Sequence, residues 1–419
     1  MDEMIPSPLI KILRDVGKTA DALGYSAYVV GGFVRDLLLG IENLDIDIVV
    51  KGDGVKLANA FAERFKARVK SHPRFGTAVV ILPDGFRVDM ATARTEYYEY
   101  PAALPRVEIS SVKKDLYRRD FTINTLIIQL NSKAFGRLID YFGGQRDLKD
   151  RAIRILHNLS FVEDPTRAFR AIRFETRFHF NIGRQTAGLI KSAVRMNLFQ
   201  KLSGKRLFIE LKYLFQEGNP FPSIRRMESF DLLQFIHPSL KLTSASEQLF
   251  SSIKNVLAWF ELLFLDIRAE AYLVYLMGLL LSLKKEEIRQ AEKTLDLGRE
   301  FFSKYLIGTD KFSEIINRFK NRKKILPSEI HGMLSPVPTE TILLMMASTT
   351  SLIAKERFSI FLTRLRNIKS ELTGQDIRKL GFKPGPIYQK ILNRLRDAHL
   401  DGKVKTREEE IRLVRKEFL

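Results

Sequence analysis

Two aspartates, Asp45 and Asp47, interrupt an apolar run that reads LDIDIVV from Leu44 to Val50. The alternation is that of a strand, in which residues two apart point to the same side. Leu44, Ile46 and Ile48 are expected to face a core, and the two carboxylates to project together on the other face. Carboxylates so placed repel each other unless one keeps its proton or a cation sits between them. The hard cation that suits paired carboxylates together with phosphate oxygens is Mg²⁺.

The stretch before the pair narrows the chemistry. Tyr28-Val29-Val30 has strand character, Gly31-Gly32 break it, and Phe33 to Leu39 has helical spacing closed by Gly40. A glycine turn lets backbone N–H groups approach a phosphate, and the helix start behind it favours negative charge. Arg35, one turn into that helix, carries a forked guanidinium able to reach the same phosphate. The run GG-x-V-R-D, followed by D-x-D on an apolar strand, resembles the first motif of the polymerase-β-like nucleotidyltransferases. The version it resembles is that of the class II CCA-adding enzymes and bacterial poly(A) polymerases.

Composition agrees with a polyanionic partner. Lys and Arg number 69 against 49 Asp and Glu, a formal charge of +20. The 419 residues suffice for three or four domains. The absence of cysteine excludes disulfides, thiolate zinc sites and cysteine nucleophiles, and fits a reducing cytoplasm. The opening MDEMIPSPLI has no apolar signal region. The longest apolar run, Ala271 to Leu283, is too short to span a bilayer and reads as a buried core helix. Nucleic acid is therefore the favoured polyanion.

Along the chain, Pro8 to Leu23 and Val55 to Phe65 read as helices, and Arg68-Val69-Lys70 as the start of a strand. Thr77 to Leu82 and Phe86 to Met90 read as a hairpin about Pro83-Asp84-Gly85. Asp89 on the returning strand shares a face with Arg87; it is either a third carboxylate of the site or an ion-pair partner of Arg87. Arg94 to Ser111 lacks a clean period and reads as a mobile loop bordering the site. In Asp115 to Leu126, the polar residues Arg119, Asp120 and Asn124 match the family's second motif, with Thr125 where alanine is expected. Asp140 to Leu148 resembles the third, with a turn at Gly143-Gly144 that is either a ligand contact or an interdomain loop.

From Ile153 the pattern becomes helical, which marks a domain boundary. Asp164 is expected to cap a helix with Pro165 in its first position. Arg167, Arg170 and Arg173 then form one ridge on it. Arg206 and Glu210 resemble the fifth motif. Further on, basic clusters at Arg322, Lys323 and Lys324 and at Lys379 and Lys383 suit an RNA backbone.

The resemblance implies an α+β head with a mixed five-stranded sheet over residues 1–152, then all-α neck (153–222), body (223–310) and tail (311–419). It implies Asp45 and Asp47 as ligands of two Mg²⁺ ions. It assigns Gly31, Gly32, Arg35, Arg119, Asp120, Asn124, Arg170 and Arg173 to the nucleotide, and Asp164 and Arg167 to its base. Cytosine and adenine both present an amino donor beside a ring-nitrogen acceptor; uracil and guanine present the reverse. One carboxylate with one guanidinium therefore admits CTP and ATP and rejects the other two. The implied activity is untemplated addition of CCA, or of the terminal A alone, to tRNA; EYYEYPAALPRVEISS and TGQDIRKLGFKPGP lean to the A-adding branch. The alternatives are a poly(A) polymerase, an enzyme adding only CC, and a non-catalytic RNA-binding protein. Some such relatives carry extra N-terminal domains, so the chain could be part of a longer protein.

Overall fold

The computed structural model describes residues 5–97, 99–100, 102–103, 106–298, 301–322 and 324–419. The chain divides into two compact units: Met1–Arg206 with Ser229–Leu232, and Leu207–Glu228 with Leu233–Leu419.

In the first unit, helix α1 (Ser7–Ala22) precedes β1 (Ser26–Val30), α2 (Gly32–Leu39), β2 (Ile46–Lys51) and α3 (Gly54–Phe65). Then come β3 (Arg68–His72), β4 (Thr77–Ile81), β5 (Arg87–Thr92), β6 (Arg94–Tyr97) and β7 (Arg106–Ile109). After α4 (Val112–Tyr117) follow β8 (Ile127–Gln129), β9 (Leu138–Ile139) and α5 (Gly144–Lys149). Among the described residues the main sheet runs β3-β4-β5-β2-β1-β8-β9. It is mixed: β2 and β5 are parallel, and β1 is antiparallel to both its neighbours. Leu13, Val16 and Ala20 of α1 and Leu57, Ala58 and Phe61 of α3 are fully buried. Each large apolar side chain so placed contributes about 2 kcal/mol.

Three expectations need correction here. The sheet has seven strands rather than five. Its outermost members are the edges: β3, a largely exposed strand RVKSH whose start was read at Arg68-Val69-Lys70, and β9, whose two residues are too few to show a period. The stretch from Arg94 is not an open loop. Strands β6 and β7 pair from Arg94↔Ile109 to Tyr97↔Arg106 as a separate ribbon. None of its residues is buried and Ile109 is 85% exposed, so no buried side imposes a period. Leu44 does not face the core; it is 51% exposed and precedes the strand, which starts at Ile46.

Beyond the sheet, α6 (Ser160–Glu163) ends at Asp164, and α7 (Arg167–Phe178) starts with Thr166 in the cap position. The helix thus begins two residues later than the expected start at Pro165, because the proline lies in the turn between two helices. In the second unit the described regular elements are helical. Leu273 to Leu280 are all buried within the helix Ala271–Leu280, as the apolar run suggested. Among the described residues no helix is long and apolar enough to cross a membrane.

Candidate active site

The glycine turn ends β1 and opens α2. Gly31 has φ +76°, in the left-handed range that glycine enters at no steric cost. A Cβ on Gly31 would stand 2.9 Å from Arg119 Nη1, and one on Gly32 would stand 3.5 Å from Arg35 Nη2. Two guanidiniums thus lie against the two glycines at a helix start, where orphan N–H groups already favour an anion. Gly31→Ala adds backbone strain of about 1–2 kcal/mol and pushes on Arg119. The Michaelis constant for the nucleotide is expected to rise about tenfold; a wild-type value in the folded variant rejects the role of the turn.

The carboxylates lie where the alternation put them. Ile46 and Ile48 are each 1% exposed, whereas Asp45 and Asp47 are exposed. Across the parallel pair, Asp47 is in register with Asp89, and Asp45, just before β2, is near enough for its charge to act on both. The protein packed around Asp47 pushes its carboxyl up to about 6; Arg119 opposes this, and Asp45 and Asp89 add like charge. Asp89 is also raised, first by burial, with Arg87 pulling down and Asp45 pushing up. Among the described residues no three acidic or imidazole groups form a metal cage. Mg²⁺ needs none, since it takes one or two carboxylates and completes its octahedron with substrate phosphates and water. The mutual repulsion of these acids is what such a cation relieves, so the donor set fits Mg²⁺.

A chain of charged hydrogen bonds ties the turn to α7. Arg35, 5% exposed, donates Nη1 to Asn124 Oδ1 at 2.7 Å. Asn124 Nδ2 donates to Asp120 Oδ1 at 2.8 Å. Asp120 Oδ2 accepts Nε and Nη2 of Arg170 at 2.8 and 2.6 Å. Burial alone would raise the Asp120 carboxyl, but Arg170, Asn124 and the Phe121 N–H hold it down to about 2. The Arg35 guanidinium also lies 4.6 Å from the Phe178 ring and 5.2 Å from that of Phe174, a cation–π arrangement. Four of the six nucleotide residues outside the base pair and the glycines therefore form one network, and Arg119 lies over Gly31. Arg173, farther along α7, packs its guanidinium 5.5 Å from the Phe174 ring.

The two residues expected to read the base are both held by protein. Asp164 Oδ1 accepts the Thr166 N–H at 3.0 Å, the Thr166 hydroxyl at 2.6 Å and Arg206 Nη2 at 2.7 Å. Arg167, 4% exposed, donates to Ser160 Oγ at 2.7 Å and to the Arg118 carbonyl at 2.8 Å.

Several contributors escaped the sequence reading. Asp115 is fully buried and accepts from Arg118 at 2.8 Å and Arg119 at 3.4 Å. Arg118 also reaches Glu96 of β6 at 2.7 Å. The spacing of Asp115 to the two arginines, three and four residues on, is the signal that would have found it. Asn43 was also missed, and Asp36 was read only as the last residue of GG-x-V-R-D, without a role of its own. At the third motif, the N–H groups of Phe142, Gly143, Gly144 and Gln145 all donate to Asp140, so that glycine turn is satisfied internally.

Of the expected RNA contacts, Arg322, Lys324, Lys379 and Lys383 are exposed on the second unit. Arg322 also pairs with Glu329 at 3.0 Å. Lys323 lies outside the described residues.

Comparison with known proteins agrees with this geometry. The poly A polymerase head domain family matches residues 27–154, and the family described as the probable RNA and SrmB-binding site of polymerase A matches residues 179–243. The A-adding tRNA nucleotidyltransferase of Geobacter sulfurreducens is 46% identical over 99% of this chain and 47% of its own length. That of Aquifex aeolicus is 34% identical over 88% of this chain and 45% of its own. The chain thus spans about half the length of these two relatives. The structure of the Thermotoga maritima CCA-adding enzyme complexed with tRNA superposes with a TM-score of 0.77 at 34% identity, covering 100% of this chain and 97% of that one. With a matching fold over its whole length and the motif residues gathered around one glycine turn, the chain belongs to the class II tRNA nucleotidyltransferase family, alongside the CCA-adding and A-adding enzymes.

Proposed function

We propose that this chain adds nucleotides to the 3′ end of tRNA without a template, releasing pyrophosphate, and that the terminal A from ATP is its addition. The observation that carries the reading is the gathering of Asp45, Asp47 and Asp89, near enough for their charges to act on one another, by the sheet that also ends in the arginine-lined glycine turn. The A-adding branch rests on the two relatives named as A-adding enzymes. A cytoplasmic setting goes with these substrates.

Gly31, Gly32 and Arg119 bind the triphosphate. Arg35, Asn124, Asp120 and Arg170 hold the turn and α7 in one geometry, which is most of what phosphoryl transfer asks of a protein. Asp45 and Asp47 hold two Mg²⁺ ions, with Asp89 as the third acid; the metal, when bound, favours ionisation of the RNA 3′-hydroxyl and neutralises the leaving pyrophosphate. Asp164 accepts the exocyclic amino group of the base, its orientation fixed by Thr166 and Arg206. Arg167 donates to the ring nitrogen; a guanidinium has five N–H donors, more than its bonds to Ser160 and Arg118 use.

The test offers tRNAs ending at the discriminator base, at C and at CC, each with one nucleoside triphosphate at a time. Addition of A to the CC end alone is expected. Addition of C to shorter ends shows a CCA-adding enzyme, long A tails on any RNA show a poly(A) polymerase, and no addition rejects the reading.

The basic flank makes a separate prediction. Each phosphate that a removed lysine no longer neutralises should lower the slope of log affinity against log salt by about one. Lys324→Ala combined with Lys379→Ala and Lys383→Ala is expected to flatten that slope for tRNA. An unchanged slope and affinity place the RNA-binding surface elsewhere.

A further inference from the structure

Asp45 stands just before β2, on the connection from α2, and is exposed. A residue in such a place is free to wander unless something holds its backbone. That something is Asn43. Its Oδ1 accepts the Asp45 N–H at 2.8 Å, and its Nδ2 donates to Asp36 Oδ2 at 2.7 Å. Asp36 is 1% exposed, and its other oxygen accepts Arg35 Nε at 2.7 Å and lies 2.7 Å from Arg35 Nη2. A continuous line therefore runs from the buried guanidinium against Gly32, through Asp36 and the Asn43 amide, to the backbone of Asp45.

The chemistry of the amide matters to this line. An amide offers an acceptor and a donor at once, and the two ends of this bridge need one of each. A carboxylate would meet Asp36 with a second negative charge, and an alkyl group would leave a buried acid short of a donor.

We infer that Asn43 is a positioning residue: through Asp36 it fixes the metal-facing carboxylate of Asp45 to the arginine-lined turn, so that the cation and the triphosphate are presented in one register. The inference rests on the metal role proposed for Asp45. It assigns to Asn43 no contact with substrate.

The test reads metal binding directly, without turnover. Mn²⁺ is titrated into the full chain and free Mn²⁺ is followed by its paramagnetic resonance, for wild type, Asn43→Ala and Asn43→Asp. Removing an outer-shell partner is expected to weaken Mn²⁺ binding about tenfold in Asn43→Ala. Asn43→Asp, which keeps an acceptor for the Asp45 N–H but sets a second negative charge against Asp36, is expected to weaken it at least as much. Turnover of Asn43→Ala should recover at high Mg²⁺ while its affinity for tRNA stays at the wild-type value. A merely structural role would not move the metal titration, so Mn²⁺ affinity within about twofold of wild type in either folded variant overturns the inference. Should Asn43→Ala fail to fold, Asn43→Asp decides alone. A wild-type chain that binds Mn²⁺ but extends no tRNA would reject the proposed function and leave this comparison standing.

Discussion

Asp47→Ala is expected to lower nucleotide addition by roughly three orders of magnitude or more, because in the proposed site several kcal/mol of charge stabilisation would pass through a metal held at that carboxylate. Binding of tRNA should stay near the wild-type value, since the RNA contact proposed here is the basic flank and not the acid. Turnover within about tenfold of wild type at saturating Mg²⁺ would reject the assignment. The raised carboxyl adds a second signature. Its folded value of about 6 lies above the ordinary 3.8. Below the ordinary value the group is protonated in both states and costs nothing. As pH rises from about 4 to 6 the folded state holds the proton that the unfolded state has released, so stability falls through that window and stays lower above it. Asp47→Asn should therefore raise the melting temperature at pH 8 and leave it unchanged at pH 4. Added Mg²⁺ should stabilise the wild type at pH 8 more than the asparagine variant. A variant equally stabilised at both pH values contradicts the origin assigned to the shift.

Asp120→Ala is the other large effect. Asp120 is 8% exposed and meets both Arg170 and Asn124, which in turn holds Arg35. Removing it takes the carboxylate from the Arg170 guanidinium and the acceptor from the Asn124 amide, a loss of about 3 kcal/mol, at the lower end for a broken buried pair because Arg170 is partly exposed. The unfolding midpoint in denaturant should drop accordingly, and nucleotide affinity with it. The sign of the pH effect is opposite to that of Asp47. With its carboxyl held at about 2 against the ordinary 3.8, Asp120 stabilises the fold above about pH 4. That contribution is lost as pH falls towards 2, by about 2 kcal/mol. Asp120→Asn should flatten acid unfolding in that window; an identical acid limb in the two proteins rejects the network as a source of stability.

What could be read in the sequence was what a buried face enforces. Ile46 and Ile48 had to go inward, so Asp45 and Asp47 had to go outward. Residues Leu273 to Leu280 had to be covered on every side. The β6–β7 ribbon escaped because neither of its faces is buried, and without burial there is no period to see. The start of α7 was misjudged because α6 ends directly before it, and Asp164 spends its carboxylate on Thr166 and Arg206. Asn43 looked like any loop asparagine. Its two bonds depend on where the chain brings Asp36, which neither charge nor spacing announces. Asp89 lay between. Its side of the strand was legible, but its register against Asp47 is a property of the parallel pairing.

The bond between Asp120 and Arg170 also bears on how the protein comes to be folded. The matched head family ends at residue 154, yet the acid at 120 and the guanidinium at 35 find their partners at 170 and 178. A fragment stopped at residue 152 would keep Asp120, Asn124 and Arg35 but lack the arginine and the two phenyl rings. Its acid would lie without the guanidinium of Arg170, and Arg35 without the rings that cover it. On a ribosome the strands of the head are all synthesised before that helix. The glycine turn is therefore a late product of synthesis, completed only when a segment from beyond the matched head family packs against it.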